Sequence, residues 1–428
     1  MKQVHERKKE LLLNSLPALG KEKKNNLRRY LEAIVIFCLL VIFCVFDMKS
    51  FASEYESVDV SVMNYINSLS FNLKGCDVKI KEMAMRETFD DNITYAKEKP
   101  KEDLITNLGL GLSAQYEGKN NTLGVAGNIY YEAFAENSTL DNTAQDIALN
   151  FKRDFSPYDR ISLNNVFTNT TVPLFFEGPA FSANLQGSEG RIPYYKNRFA
   201  LDYARDVFRQ LTVKIKYAND VDAFETKTLL DSFTNKVGFE TNYFLTATTI
   251  LLSTYDFSHR QFEDESDASI NTLAQVVRQY ITKQLYFDIG GGLDFINPYE
   301  GDTFIEPIIL SAINYNMSEN TKLRLLFNKK DNTDPFSKQI YNYWITSLSF
   351  TRQVSERLGC NLSLSYTDGE SIPSNFEQKI LDVSSSLTYD INKNLKGNLS
   401  YRHSQSETST ETAGYTKNAI SLGLIATF

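Results

Sequence analysis

The chain has 428 residues, with 45 Lys+Arg against 53 Asp+Glu, 24 Tyr and 29 Phe beside one Trp, and a mean hydropathy of -0.32. That balance is too polar for a bundle of membrane helices, and the net negative charge excludes nucleic acid as a partner. Three histidines and four cysteines leave little material for a transition-metal centre.

The first 52 residues differ in kind from the rest. KEKKNNLRRYLE sets a basic flank before AIVIFCLLVIFCVF, 14 apolar residues, and small residues follow at Ser50 and Ala52. Basic, apolar, small is the order of an export signal peptide, here cleaved after Ala52; a retained anchor would need about 20 apolar residues. Arg28 and Arg29 form a twin-arginine pair, but so apolar a core points to the general secretory route. Residues 1–52 hold 10 basic and 5 acidic groups, so their removal leaves a net charge of -13. Cys38 and Cys44 go with them, and Cys76 and Cys360 would then meet an oxidising compartment as a disulfide or as two free thiols. Residues 53–79 read as a short periplasmic segment, with Val62, Tyr65, Ile66 and Leu69 at the spacing of one small helix.

Residues 80–428 are read as one all-β body. Segments such as LITNLGLGLSAQY, RQLTVKIKYAN, CNLSLSYTD and the closing NAISLGLIATF place apolar residues on one parity and Gly, Ser, Asn, Thr or charge on the other. Short connections (GKNN, SPYD, VFRQ, LTAT, ITKQ, NMSEN, VSERL, INKN) alternate with nine longer polar ones. Tight turns on one rim and long loops on the other predict a transmembrane antiparallel up-and-down β-barrel with its turns in the periplasm. Seventeen connections make 18 strands, the first near residues 84–95, and an even number lets the first and last close without an edge. Segments 143–154 and 270–280 alternate least clearly, which keeps 16 strands as the alternative. Tyr116, Tyr131, Tyr203, Tyr217, Tyr255, Tyr366, Tyr389 and Tyr401 fall near strand ends, where an interfacial girdle belongs. The chain stops on Phe428, with Leu424 and Leu422 on the same parity, the form of a C-terminal signal presented to the barrel assembly machinery.

Nothing in the barrel region resembles a catalytic constellation. His259 and His403 belong to no GxSxG, HExxH or Cys-His pattern, so neither an enzyme nor a cofactor is expected. FEDESD at 262–267 reads as a solvated loop facing lipopolysaccharide, and Gly290, Gly291 and Gly292 as a bend or a close backbone approach inside a strand. Charged side chains cannot face lipid cheaply, an Arg or Lys at the midplane costing about 2–4 kcal/mol. Lys214, Lys216, Arg324, Asp202, Glu240, Asp288, Asp294 and Asp382 are therefore assigned to the lumen, which could conduct or could be crosslinked shut by salt bridges. The third external loop carries Leu174, Phe175, Phe176 and Phe181 beside Glu177, Glu189 and Arg191. It is too apolar for open water, and is expected either to fold inward and constrict the barrel or to pack on the outer rim or a neighbouring subunit.

The stretch RETFDDNITYAKEKPKEDLITNLGLGL, residues 86–112, carries an aromatic-Asp-Asn step at Phe89, Asp91 and Asn92, then Asp103 entering an alternating strand. It resembles the opening of the porin-2-like family of outer-membrane β-barrel proteins, often encoded beside exopolysaccharide synthesis and export genes. Gly109 or Gly111 stands where that pattern has a proline. The resemblance implies a barrel in the outer membrane of a Gram-negative bacterium, in contact with lipid and lipopolysaccharide. It implies a link to polysaccharide secretion and no catalytic residues. The expected role is a pore for polar solutes or saccharide; the alternative is a closed barrel acting through its external loops.

Overall fold

The computed structural model describes residues 71–73, 76–171, 191–225, 229–334, 338–372, 374–409 and 414–428. All belong to the compact unit Asn67–Phe428; the other unit, Met1–Ile66, lies outside the described residues.

A short strand, β1 (Phe71–Leu73), pairs antiparallel with β2 (Cys76–Asp90). Each later strand pairs antiparallel with the one before it: β3 (Asp103–Glu117), β4 (Asn121–Phe134), β5 (Asn142–Asp154), β6 (Asp159–Thr170), β7 (Tyr194–Phe208), β8 (Leu211–Phe224), β9 (Ser232–Phe244), β10 (Thr249–Phe262), β11 (Asp267–Tyr280), β12 (Leu285–Asn297), β13 (Phe304–Ser318), β14 (Thr321–Thr333), β15 (Ile340–Gln353), β16 (Leu358–Ile372), β17 (Phe376–Asp390), β18 (Leu395–Thr408) and β19 (Tyr415–Thr427). β19 then pairs back onto β2, from Ala419↔Asp90 to Thr427↔Glu82. The 18 strands β2–β19 are a closed antiparallel barrel in which every strand has a hydrogen-bonded neighbour on both sides.

Period-2 alternation gives the wall its two faces. On β8, Ile215, Tyr217 and Val221 are exposed, while Lys214, Lys216, Asp220 and Asp222 take the other parity; on β12, Ile289, Leu293 and Phe295 are exposed opposite Asp288 and Asp294. The same apolar outer face continues around the barrel through Leu362 and Leu364, Leu387, Leu399 and Ile420. A belt of that extent does not survive in water. Lipid covers it.

The expected first strand at 84–95 lies too far along the chain. β2 starts at Cys76 and ends at Asp90, because residues 91–102 turn inward instead of continuing the ladder. Asp91 accepts from the Asn418 backbone N (2.6 Å) and Nδ2 (2.7 Å), and Asn92 Nδ2 donates to Thr416 O (2.9 Å) and Ala96 O (2.8 Å). Ile93, with no exposed surface, then packs with Ile105 and Phe134. Asp103 gathers Glu136 N, Asn137 N and Asn137 Nδ2 at 2.7–3.0 Å. The Asp and Asn residues of the family-like stretch thus close the barrel seam and anchor two loops.

The polar connections opposite the tight turns are shorter than their polarity predicts: only residues 263–266 separate β10 from β11, and 373–375 separate β16 from β17. The strands run on past the apolar belt with polar sequence. Gly290 and Gly292 mark a close approach of β11 to β12, since an added Cβ would sit 2.1 Å from Gln275 O and 2.0 Å from Leu273 O respectively.

One departure from a regular barrel stands out. β13 and β14 pair only from Ser318↔Thr321 up to Ile309↔Lys329, yet β12–β13 pairing continues to Ile296↔Phe304 and β14–β15 pairing to Thr333↔Ile340. Above Lys329 the wall splits. Pro307, which has no N–H to offer a ladder, lies on the unaccompanied part of β13, where an edge tolerates proline.

Candidate functional site

The β14–β15 hairpin that leaves the wall at the split leans into the barrel mouth. The face that would have pointed to lipid now lies on the inner surface of β10–β13. Ile340, fully buried, packs with Ala268, Ile270 and Ile296, and Phe304 and Ile372 lie against this cluster. Arg260 on β10 ties wall to hairpin: its Nη1 donates to Asp222 Oδ2 (3.0 Å) and Ser232 Oγ (2.9 Å), and its Nε to Thr333 Oγ1 (3.1 Å). Tyr341 reaches the opposite side, donating to Gln378 Oε1 (3.1 Å). At the tip Lys338 is paired with Asp264 in the β10–β11 loop and sits 4.8 Å from the Tyr299 ring centroid. Hydrogen bonds from Lys338 and then Ser266 hold the Asp264 carboxyl well below the usual carboxylate range, at about 2.

The loop between β2 and β3, residues 91–102, also narrows the mouth. Tyr95, 6 % exposed, meets Tyr415 edge to face with centroids 5.1 Å apart, and the Lys417 ammonium lies 3.8 Å from the Tyr95 ring while pairing with Asp90 at 2.6 Å.

Below these elements the lumen has two unlike walls. From β7 to β12 it is charged and internally paired: Lys214–Glu240 (2.8 Å), Lys216–Asp256 (3.2 Å), Lys236–Asp220 (2.8 Å) and Arg278–Asp288 (2.7 Å). Each pair joins adjacent or next-but-one strands, so none spans the bore. From β15 through β19 to β2 the inner positions are mainly hydroxyls, among them Ser363, Ser365, Thr367, Ser384, Ser386, Ser404, Ser421 and Thr88, and they line a cavity of about 840 Å3. Among the described residues its charged lining is Arg86, Asp90, Glu132, Arg191, Asp382, Arg402 and Lys417.

Of the residues singled out in the sequence, Lys214, Lys216 and Asp288 join the paired wall. Asp294, 3 % exposed, accepts from Thr272 Oγ1 beneath the hairpin. Arg324 is on the inner parity of β14 and forms no ion pair among the described residues. Phe175, Phe176, Glu177, Phe181 and Glu189 lie outside the described residues. Arg191, at the end of that third loop, is buried against the barrel: its guanidinium is 4.7 Å from the Phe134 ring and 3.6 Å from Glu132. Leu422 and Leu424 share the outer parity with exposed Ile420, and Phe428 N donates to Lys81 O at 3.3 Å. Cys360 is a free thiol. His259 stacks on Phe257 and His403 contacts Asn418; both take the outer parity.

Sequence reasoning missed the hairpin and the hydroxyl wall. Pro307 inside an alternating strand was the available sign of a broken ladder, and LSLSY and SSSL display the hydroxyl parity.

No protein-family model and no curated protein matches the sequence. Among solved structures, the chain is similar to OccK2 (OpdF) of Pseudomonas aeruginosa, at 10% identity and a TM-score of 0.47 over 84% of this chain and 100% of that one. It is similar to OccAB3 of Acinetobacter baumannii at 14% identity and 0.44, over 82% and 98%. The siderophore receptor PirA of Pseudomonas aeruginosa follows at 10% and 0.45, over 81% and 80%. Likenesses of this degree decide neither substrate nor partner.

Proposed function

We propose that the chain is a non-enzymatic channel in the outer membrane of a Gram-negative bacterium, passing polar solutes through a lumen narrowed by the inturned β14–β15 hairpin. The observation that supports it most is the direction of the lumenal ion pairs. Braces between neighbouring strands stiffen the wall without barring the bore, and a polar cavity of about 840 Å3 persists beside them. Lipid and lipopolysaccharide are the surrounding partners, and Phe428 with Leu422 and Leu424 is the segment offered to the barrel assembly machinery. A connection to exopolysaccharide secretion rests on the family resemblance of residues 86–112 alone.

A second reading, a closed barrel acting through its external loops, draws on the same hairpin, whose contacts at Lys338, Thr333 and Tyr341 span the mouth. Planar-bilayer recording of the purified chain separates the two. Discrete conductance steps are expected; their absence at high protein, together with liposomes that stay impermeable to sugars, would leave the closed barrel standing.

A further inference from the structure

The split between β13 and β14 faces lipid. The ladder stops at Ile309↔Lys329, yet the rungs of β12 and β13 beyond it still present Ile305 (55% exposed) and Phe295 to the outside, so the parting begins within the apolar belt. Among the described residues no backbone hydrogen bond joins residues 304–308 to β14. An open strand edge at membrane depth has to be answered by something polar. The sequence also opposes closing it. Continuing the register would set Pro307, which has no N–H, opposite Asp331, and would turn Asp331 to the lipid side with exposed Phe327, whose parity it shares. Side chains hold the seam instead: Asn328 Oδ1 accepts from Ser311 N at 3.0 Å, and Lys329 Nζ pairs with Glu306 at 2.9 Å.

We propose that this split is a binding groove for a single-chain amphiphile with an uncharged, hydroxylated head, the head between the β13 edge and β14 and the chain outside, along Phe327 and Trp344. The two sides of the groove differ in kind. Toward the lumen lie Lys329 and Glu306, and toward lipid lie Ile305, Phe327 and Trp344, the last two stacked with ring centroids 5.1 Å apart. Apart from Pro307, backbone N–H and C=O groups alternate along the free edge, and a hydroxyl, able to donate and to accept, answers both. Residues 304–308 span roughly 14 Å of edge, room for one or two sugar rings. Lys329 and Glu306 already neutralise each other, so a charged head would find no counter-charge. A further protein strand would only move the open edge outward.

The inference goes beyond the channel reading and needs no conduction. Trp344 is the single tryptophan of the chain, so its fluorescence reports on the groove alone. The full chain, in nanodiscs of diacyl phosphatidylcholine, is titrated with dodecyl maltoside brominated in its alkyl chain. Bulk lipid also touches Trp344, and brominated phosphatidylcholine supplies that comparison. Quenching by the maltoside should saturate at a mole fraction about tenfold below that at which phosphatidylcholine reaches the same effect, the scale of one or two net hydrogen bonds. Unbrominated dodecyl maltoside should reverse it; maltose, a head without a chain, and dodecanol, a chain without a head, should not. A short bismaleimide bridge in E306C/K329C, with the native cysteines changed to serine, staples the seam and should abolish the saturable part, which the same protein should show before bridging. An unchanged heat-dependent gel shift shows that the variant is folded. Quenching that tracks phosphatidylcholine mole for mole, reversal by dodecanol, no saturable part before bridging, or a bridged protein that still saturates overturns the proposal. Saturable quenching in a chain that passes no current keeps the groove and loses the channel; current without saturable quenching keeps the channel and loses the groove.

Discussion

Lys338 holds the hairpin tip with a single charge-assisted bond to Asp264, and two aromatic rings lie under it. The pairing depresses the Asp264 carboxyl to about 2. A depressed carboxylate contributes its stabilisation in full above its unfolded value, near 3.9, and loses it as pH falls through the folded value. Flicker in single-channel current arising from hairpin motion should therefore stay constant from pH 7 to about pH 4 and grow only below about pH 3. D264N should show the same excess flicker at pH 7, and identical traces from D264N and the wild type would remove Lys338–Asp264 from the account. Arg260 is the contrasting residue, a buried cation that reaches Asp222, Ser232 and Thr333 together. It anchors Thr333, the last ladder residue of β14 before the turn, out of the solvent that screens Lys338.

At the scale of elements, the hairpin stays inside because Ile340 fills an apolar recess made by Ala268, Ile270 and Ile296. Full burial of an isoleucine is worth about 1.5–3 kcal/mol, whereas an unpaired carboxylate placed there costs several. I340D should release the hairpin and raise single-channel conductance, with barrel assembly intact because the β14–β15 ladder below Trp344 is untouched. Unchanged conductance would show that the hairpin does not limit the bore. The turn-side half of the fold was legible in the sequence, since all eight short connections are turns between consecutive strands, and segments 143–154 and 270–280 fall within β5 and β11. The mouth was not. Ile93, Tyr95 and Ile340 carry strand-like residues into inward-folded segments, and period-2 patterns cannot report that an outward face has met protein in place of lipid. The hydroxyl wall is hidden in the sequence for a related reason: charge marks an inner face, and serine carries none.

For the whole molecule, closure through the nine residue pairs between Ala419↔Asp90 and Thr427↔Glu82 makes the barrel one cooperative cylinder. Such a cylinder should migrate faster on gels before boiling than after it, with β-type circular dichroism and a requirement for detergent. D91A removes the carboxylate that takes both Asn418 donors at the top of this seam. Two hydrogen bonds to a charged acceptor are worth roughly 1.5–3 kcal/mol each, so the temperature at which the compact band is lost should fall by several degrees. An unshifted transition would mean that the backbone ladder alone carries the closure.

The circumferential run of the ion pairs has a mechanical corollary. A hoop-braced tube holds its diameter whether or not anything fills it, so excising the hairpin should yield a hollow cylinder and not a collapsed one. Removing the Lys216 bridge to Glu240 and Asp256, by contrast, would slacken the staves themselves.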